Sequence, residues 1–337
     1  MGTVVQIKNH VNNSYLELKN SVEDKLALVD ERIKTKLSSK VELVNKMADY
    51  HLKTGGKRLR ALLTLGSAKL CGYTKGGRDI NLSACVELIH AATLMHDDVI
   101  DNGETRRGKK TLNRIWGNQS SILVGDYLLS RCFEMMVEDG DNEVLKLLSS
   151  TSAEISQGEV LQLQHKGEID MLEASYLKII SAKTASLFAA ATKVGAILAK
   201  KENKIKEALE FYGKNLGLTF QIADDTLDYN SNLKVFGKNI GNDFYEGKIT
   251  LPIIMLYQKA IDKEIKEIKE MFQKKNRSEK EFQNILSMIK KYNIIDECYK
   301  KAEYFINLAS NSLSIFEASK EKNILKNLTS FSLERNF

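Results

Sequence analysis

Apolar residues recur at the three- and four-residue spacing of an α-helix along nearly the whole chain, as in "NLSACVELIHAATLMH" at 81–96. No two-residue alternation lasts long enough for a strand. This periodicity predicts an all-α fold. The chain has 337 residues with one Pro, 43% apolar and 7% aromatic, and nothing in its pattern marks an interdomain linker or a repeat. It reads as a single large helical domain over 1–337.

The spacing predicts helices over 4–38, 41–54, 58–71, 81–101, 111–138, 143–165, 171–200, 204–229 and 251–273, with two or three more to the end. Gly and Asn cluster between them, in "TGGK" at 54–57, "NGETRRGKK" at 102–110 and "NSNLKVFGKNIGNDFYEGK" at 230–248. The last is long for a plain connection and carries Gly237, Gly241 and Gly247 beside Lys238 and Lys248, which reads as a lid or binding loop. Pro252 falls in the first turn of the next helix, where its missing N–H does no harm.

Charge and cysteine content exclude several classes. The net charge of +6 comes from Lys and Arg interleaved with Glu and Asp, as in "DKEIKEIKEMFQKKNRSEKEF", so it marks solvated helix faces and no nucleic acid partner. Cys71, Cys85, Cys132 and Cys298 have no paired spacing and read as buried thiols, with no zinc site. There is no run of 18 or more apolar residues, and "MGTVVQIKNH" lacks a secretory layout. The expected location is cytoplasmic, at most peripheral to a membrane.

Against this background "HDDVID" stands out. Asp97 and Asp101 are four apart and share a helix face, while Asp98 points about 100° away. "FQIADDTLDY" repeats the offset with Asp224 and Asp228, Asp225 beside them. Like charges about 4 Å apart repel by roughly 4 kcal/mol at an effective dielectric near 20, so two facing clusters require cations between them. All-oxygen ligands favour Mg²⁺, which typically bridges carboxylates to a substrate's phosphates.

Basic residues gather in short motifs as well. "GGKRLR" places Lys57, Arg58 and Arg60 after two glycines at a helix start, where free N–H groups already favour anions, and "RRGK" adds Arg106 and Arg107. Taken singly each motif has a plain structural reading: a solvated helix end for the aspartates, a surface loop for the arginine pair, core histidines for His90 and His96, and structural or surface positions for His51 and His165.

Their order removes the ambiguity. GGKRxR, HxxxxxHDDxxD, RRG, KT, FQxxDDxLD and GKxxGxDxxxGKxTLP, spread over 55–252, make a chain that resembles the trans-isoprenyl diphosphate synthase (polyprenyl synthetase) family, in its long-chain, octaprenyl-like form. The resemblance implies helices around a deep cavity, with Asp97, Asp101 and Asp224 ligating three Mg²⁺ and Asp98, Asp225 and Asp228 orienting or acting through water. It places Arg106, Lys183, Thr184, Gln221, Lys238 and Lys248 on an allylic diphosphate, and Lys57, Arg60, His90 and Arg107 on isopentenyl diphosphate, with Arg58 supportive. The implied reaction ionises the allylic diphosphate, and the alkene of isopentenyl diphosphate attacks the allylic carbon without a protein nucleophile.

The resemblance also implies a homodimer and a quinone side chain as the product's use. Short-chain relatives carry Phe or Tyr four or five positions before the first aspartate. Here Thr93 and Ala92 stand there with Ala91 beside them, so a long product of about eight units is expected, with Phe133 and Met136 as the next bulky residues to close the tunnel. Each added unit buries five carbons, roughly 4 kcal/mol at about 0.8 kcal/mol per CH₂, so product release would be slow and aided by a membrane.

Other readings fit less well. A terpene cyclase lacks a counterpart of "GGKRLR" and of "DDTLD", and a di-iron bundle needs a second Glu-x-x-His beside "ELIH" at 87–90. A non-catalytic subunit would lack part of this apparatus.

Overall fold

The computed structural model describes residues 14–230 and 240–331, and helices fill most of them. In chain order these are α1 over 14–21, α2 Glu23–Lys36, α3 Glu42–Lys53, α4 Leu59–Leu70, α5 Arg78–Ile100, α6 Leu112–Trp116, α7 Asn118–Asp139, α8 Asn142–Gln164, α9 Glu173–Ile180, α10 Ser186–Leu198 and α11 Asn203–Asp228. They continue with α12 Asn242–Glu246, α13 Leu251–Lys259, α14 Asp262–Gln273, α15 Glu279–Lys291, α16 Ile294–Ser312 and α17 Lys320–Phe331. Among the described residues no helix is long and apolar enough to cross a membrane.

Burial explains the arrangement. α5 lies inside and is buried all round, since every residue from Leu82 to Ile89 is buried. α11 is shared between two hydrophobic clusters. Its Leu209, Tyr212 and Leu216 pack with α4, α5, α7 and α10, whereas its Leu218 and Ile222 pack with α13 to α16. Each Leu or Ile so buried contributes about 1.5–3 kcal/mol, so the two helices that end in the aspartate motifs are also among the most firmly held.

The structure corrects the periodicity reading in five places. The segment 4–38 is two helices parted at Val22, and its residues 4–13 lie outside the described ones. The segment 111–138 is two helices parted at Gly117, whose φ is 85°. The segment 251–273 breaks where Ala260 takes an extended ψ of 151°. The segment 171–200 contains a π-helical turn at Ser181–Ala185, which leaves the apolar pattern intact on either side. A two-residue antiparallel ladder, Thr105–Arg106 (β1) on Lys109–Lys110 (β2), forms inside the RRGKK loop and is too short for alternation to reveal. Residues 231–239, with Gly237 and Lys238, lie outside the described residues, so the lid reading is described only from Ile240 on.

Candidate active site

Two of the first three aspartates sit in the last turn of α5, and Asp101 caps it. Arg106, on β1, grips Asp98 through Nε at 3.0 Å and Nη2 at 2.8 Å, and Asn113 of α6 donates to the Asp98 carbonyl. Asp98 therefore faces the arginine loop. Asp97 and Asp101 face the lysines. Lys248 Nζ lies 2.8 Å from Asp101 Oδ2, and Lys183 Nζ lies 3.9 Å from Asp97 Oδ2. Burial pushes the Asp97 carboxyl above its ordinary value, Lys183 draws it back, and Asp101 pushes it up again. Burial alone would lower the Lys248 ammonium, but Asp101, Glu246 and Asp243 outweigh it and hold it above its ordinary value.

Lys183 and Thr184 owe their placement to the π-helical turn. Gly158 of α8 packs against it so closely that a Cβ there would meet the Lys183 backbone nitrogen at 2.8 Å. This contact brings Glu159 and Gln162 of α8 onto Lys183, which donates to them at 2.8 and 3.0 Å. The Thr184 hydroxyl donates to Gln221 Oε1 at 2.8 Å, and Gln221 Nε2 donates to Asp225 Oδ1 at 2.8 Å.

The second motif is anchored from behind. Tyr176 donates to Asp225 Oδ2 at 2.6 Å; burial raises the Asp225 carboxyl to about 7 while Tyr176 and Gln221 act to lower it. Asp228 accepts from the Gly241 and Asp243 backbone N–H groups, at 3.1 and 2.8 Å. Asp224 is half-buried on the same helix end. Asp225 and Asp228 are thus each held by hydrogen bonds from the protein behind them.

A second cationic group adjoins the first. The Arg60 guanidinium lies 4.6 Å from the Phe188 ring centroid, and its buried Nε has no hydrogen-bond partner among the described residues. Burial lowers its pKa to about 10. Gly56 leaves the space occupied by Arg107, since a Cβ there would fall 2.6 Å from Nη1. Burial, then Arg60 and Arg106, push the His90 imidazole well below its ordinary value, so it stands neutral among the arginines. Arg58 turns away to Asp30 and Glu87, as its two-residue offset from Arg60 predicts. The Lys57 carbonyl accepts from the Tyr15 hydroxyl at 3.0 Å.

Of the chain-length positions, Ala91 and Ala92 are buried, Thr93 is half-buried with its hydroxyl on the His90 carbonyl, and Met136 is buried. Phe133 is corrected. It is 42% exposed, because α7 packs inward through Val124, Leu128, Cys132 and Met136, and Phe133 lies about 100° round from Cys132. It does not close an internal tunnel of the protomer.

Four residues that the sequence reading did not single out belong to the site: Glu159, Gln162, Tyr176 and Asp243. Burial, then Asp97, raise Glu159 to about 7, against Lys183. Burial, then Asp225 and Asp228, raise Asp243 well above its ordinary value. Asp243 was visible in the GxD of "GNDFYEGK", whereas Glu159 looks in sequence like any Glu on a helix.

The donor set fits Mg²⁺. It is all oxygen, and ammonium groups already stand against Asp97 and Asp101. Among the described residues no three His, Cys, Asp or Glu side chains converge as a ready metal cage. An ion here would therefore take one or two carboxylates and complete its shell with water and phosphate oxygens.

Buried carboxylates faced by lysines, beside a cationic group around Arg60, are the chemistry that suits a diphosphate. Residues 41–289 match the polyprenyl synthetase family. The chain is 38% identical over 314 residues to the all-trans-nonaprenyl-diphosphate synthase (geranyl-diphosphate specific) of Rhodobacter capsulatus, covering 93% of this chain and 96% of that protein. It is 42% identical over 229 residues to the octaprenyl diphosphate synthase of Escherichia coli, 68% of this chain and 71% of that one. It superimposes with a TM-score of 0.92 on a polyprenyl synthase of Caulobacter crescentus solved with calcium and isoprenyl diphosphate, at 38% identity over 96% of this chain and 98% of that one. The chain belongs to the polyprenyl synthetase family and is a prenyltransferase.

Proposed function

We propose that this chain is a Mg²⁺-dependent, long-chain all-trans polyprenyl diphosphate synthase, which condenses several isopentenyl diphosphates onto an allylic diphosphate to about eight units. The observation that carries the reading is the presence of two distinct cationic groups that share Arg106. One is Lys183 and Lys248 at the aspartates; the other is Arg60 and Arg107 around neutral His90. Two anionic substrates require two such groups. The long-chain names of relatives that match most of the chain support the product class.

Asp97, Asp101 and Asp224 would hold the metal ions, and bound Mg²⁺ would neutralise charge on the allylic diphosphate. Lys183 and Lys248, now on carboxylates, would turn to the phosphate oxygens together with Arg106, Thr184, Gln221 and Lys238. Lys57, Arg60, neutral His90 and Arg107 would hold isopentenyl diphosphate, whose charge meets the partner-free Arg60 Nε. The allylic C–O bond breaks, the alkene forms the new C–C bond, and the proton leaves to the released diphosphate. Asp98, Asp225 and Asp228 orient Arg106, Gln221 and α12.

The same reading takes the chain as one domain, with a homodimer formed through the exposed apolar residues of α7, Ile122, Leu123, Phe133 and Val137. The product would serve a quinone side chain, made in the cytoplasm and released with help from a membrane surface. The test incubates the purified protein with radiolabelled isopentenyl diphosphate and an allylic primer, with and without Mg²⁺. Elongated product with the metal is expected; its absence from folded protein would leave a non-catalytic subunit instead.

A further inference from the structure

Arg277 lies between α14 and α15, beyond every motif of the site, yet its guanidinium is built into the turn that carries Lys248. Nη1 donates to the Tyr245 carbonyl at 3.2 Å and Nη2 to the Phe272 carbonyl at 2.7 Å, so one side chain caps the C-terminal ends of both α12 and α14. The guanidinium also lies 5.1 Å from the Phe272 ring centroid and 6.0 Å from that of Phe244. Among the described residues it forms no ion pair with a carboxylate, and its buried Nε has no hydrogen-bond partner. Desolvation of this half-buried guanidinium lowers its pKa, against Tyr229 and Glu281, and the two carbonyls and two rings hold it in place.

The position explains the arrangement. Gly247 follows α12 with φ 73°, and a Cβ there would meet Arg277 Nη2 at 2.7 Å and Nη1 at 2.9 Å. The next residue is Lys248. Its backbone N–H donates to the Asp243 carbonyl at 2.9 Å, and its ammonium reaches Asp101. The other end of α12 is fixed to the second aspartate motif through Asp228. α12 therefore spaces Lys248 from Asp228, and Arg277 holds its far end.

We infer that Arg277 is a positioning residue for diphosphate binding, acting through Lys248. The inference rests on the proposed reaction only for which diphosphate is bound.

Its test is a double-mutant cycle read by calorimetry with inorganic diphosphate and Mg²⁺, and by KM and kcat for each substrate. Arg277→Met keeps the apolar length without the donors, and Arg277→Lys keeps the charge but gathers its donors on one nitrogen without the planar fork. In the wild-type background Arg277→Met should weaken diphosphate binding about tenfold and raise KM for the allylic substrate, with KM for isopentenyl diphosphate changed less than twofold. In the Lys248→Met background the same change should add less than twofold. Arg277→Lys should fall between. Multiplicative losses in the double variant, or unchanged diphosphate affinity in Arg277→Lys with an unaltered melting temperature, would overturn the inference. Should the wild type bind diphosphate without condensing, the cycle still decides the role of Arg277, and only the proposed reaction fails.

Discussion

Arg106 holds Asp98 with both arms of its guanidinium, at 3.0 and 2.8 Å, and so ties the arginine loop to the helix of the first aspartate motif. The pair sits where the two cationic groups adjoin, since Arg106 acts on both His90 and Asp97. A lysine keeps the charge but cannot reproduce the fork. Arg106→Lys should therefore lower kcat/KM by about 10- to 100-fold, corresponding to about 1.4–2.8 kcal/mol. Steady-state assays decide it: unchanged kcat/KM would mean that the fork is only structural.

The two cationic groups should separate kinetically. Replacing Arg60 or His90 by Gln is expected to raise KM for isopentenyl diphosphate chiefly, because each is proposed to hold a ground-state anion, whereas Asp97→Ala or Asp224→Ala should chiefly lower kcat. Parallel changes in both parameters for all four variants would contradict the division.

Product length offers a handle on α5. Ala92 is wholly buried and one turn above Leu88, so a ring introduced there enters the helix interface where the chain is expected to grow. With Ala92→Phe, mass spectrometry of the product should show about three or four isoprene units. Overpacking costs about 1–3 kcal/mol, so the melting temperature is measured alongside. A product of unaltered length would place the tunnel elsewhere.

His51 gives a pH dependence with a definite sign. Burial, then Arg58, Arg107 and Arg106, lower its imidazole to about 4 in the folded protein. Between about 6.5 and that value the unfolded chain binds a proton that the folded chain does not, so the stability this site contributes falls as pH falls and is constant above about 6.5. At about 1.4 kcal/mol per pH unit the full loss is about 3 kcal/mol. Denaturant titrations of wild type and His51→Gln across pH 4–7 measure it, and equal slopes for the two proteins would refute the assignment.

The sequence by itself determined the all-α class, the course of α3, α4, α5, α8 and α11 to within a few residues, and the chemistry offered at each motif. These are local properties. Helical periodicity records which faces are apolar, and a four-residue offset puts Asp97 with Asp101 whatever surrounds them. Only the tertiary structure decided which groups meet. Lys248 reaches Asp101 across 147 positions. Lys183 is presented by a π-helical turn that leaves no mark in the apolar pattern, and Glu159 reaches it because Gly158 admits a close approach of two helices. Phe133 turns outward for a reason that lies in α5, the helix against which α7 packs. Contacts between distant segments depend on how helices cross, and crossing is set by the summed packing of whole faces, which no short stretch of sequence contains.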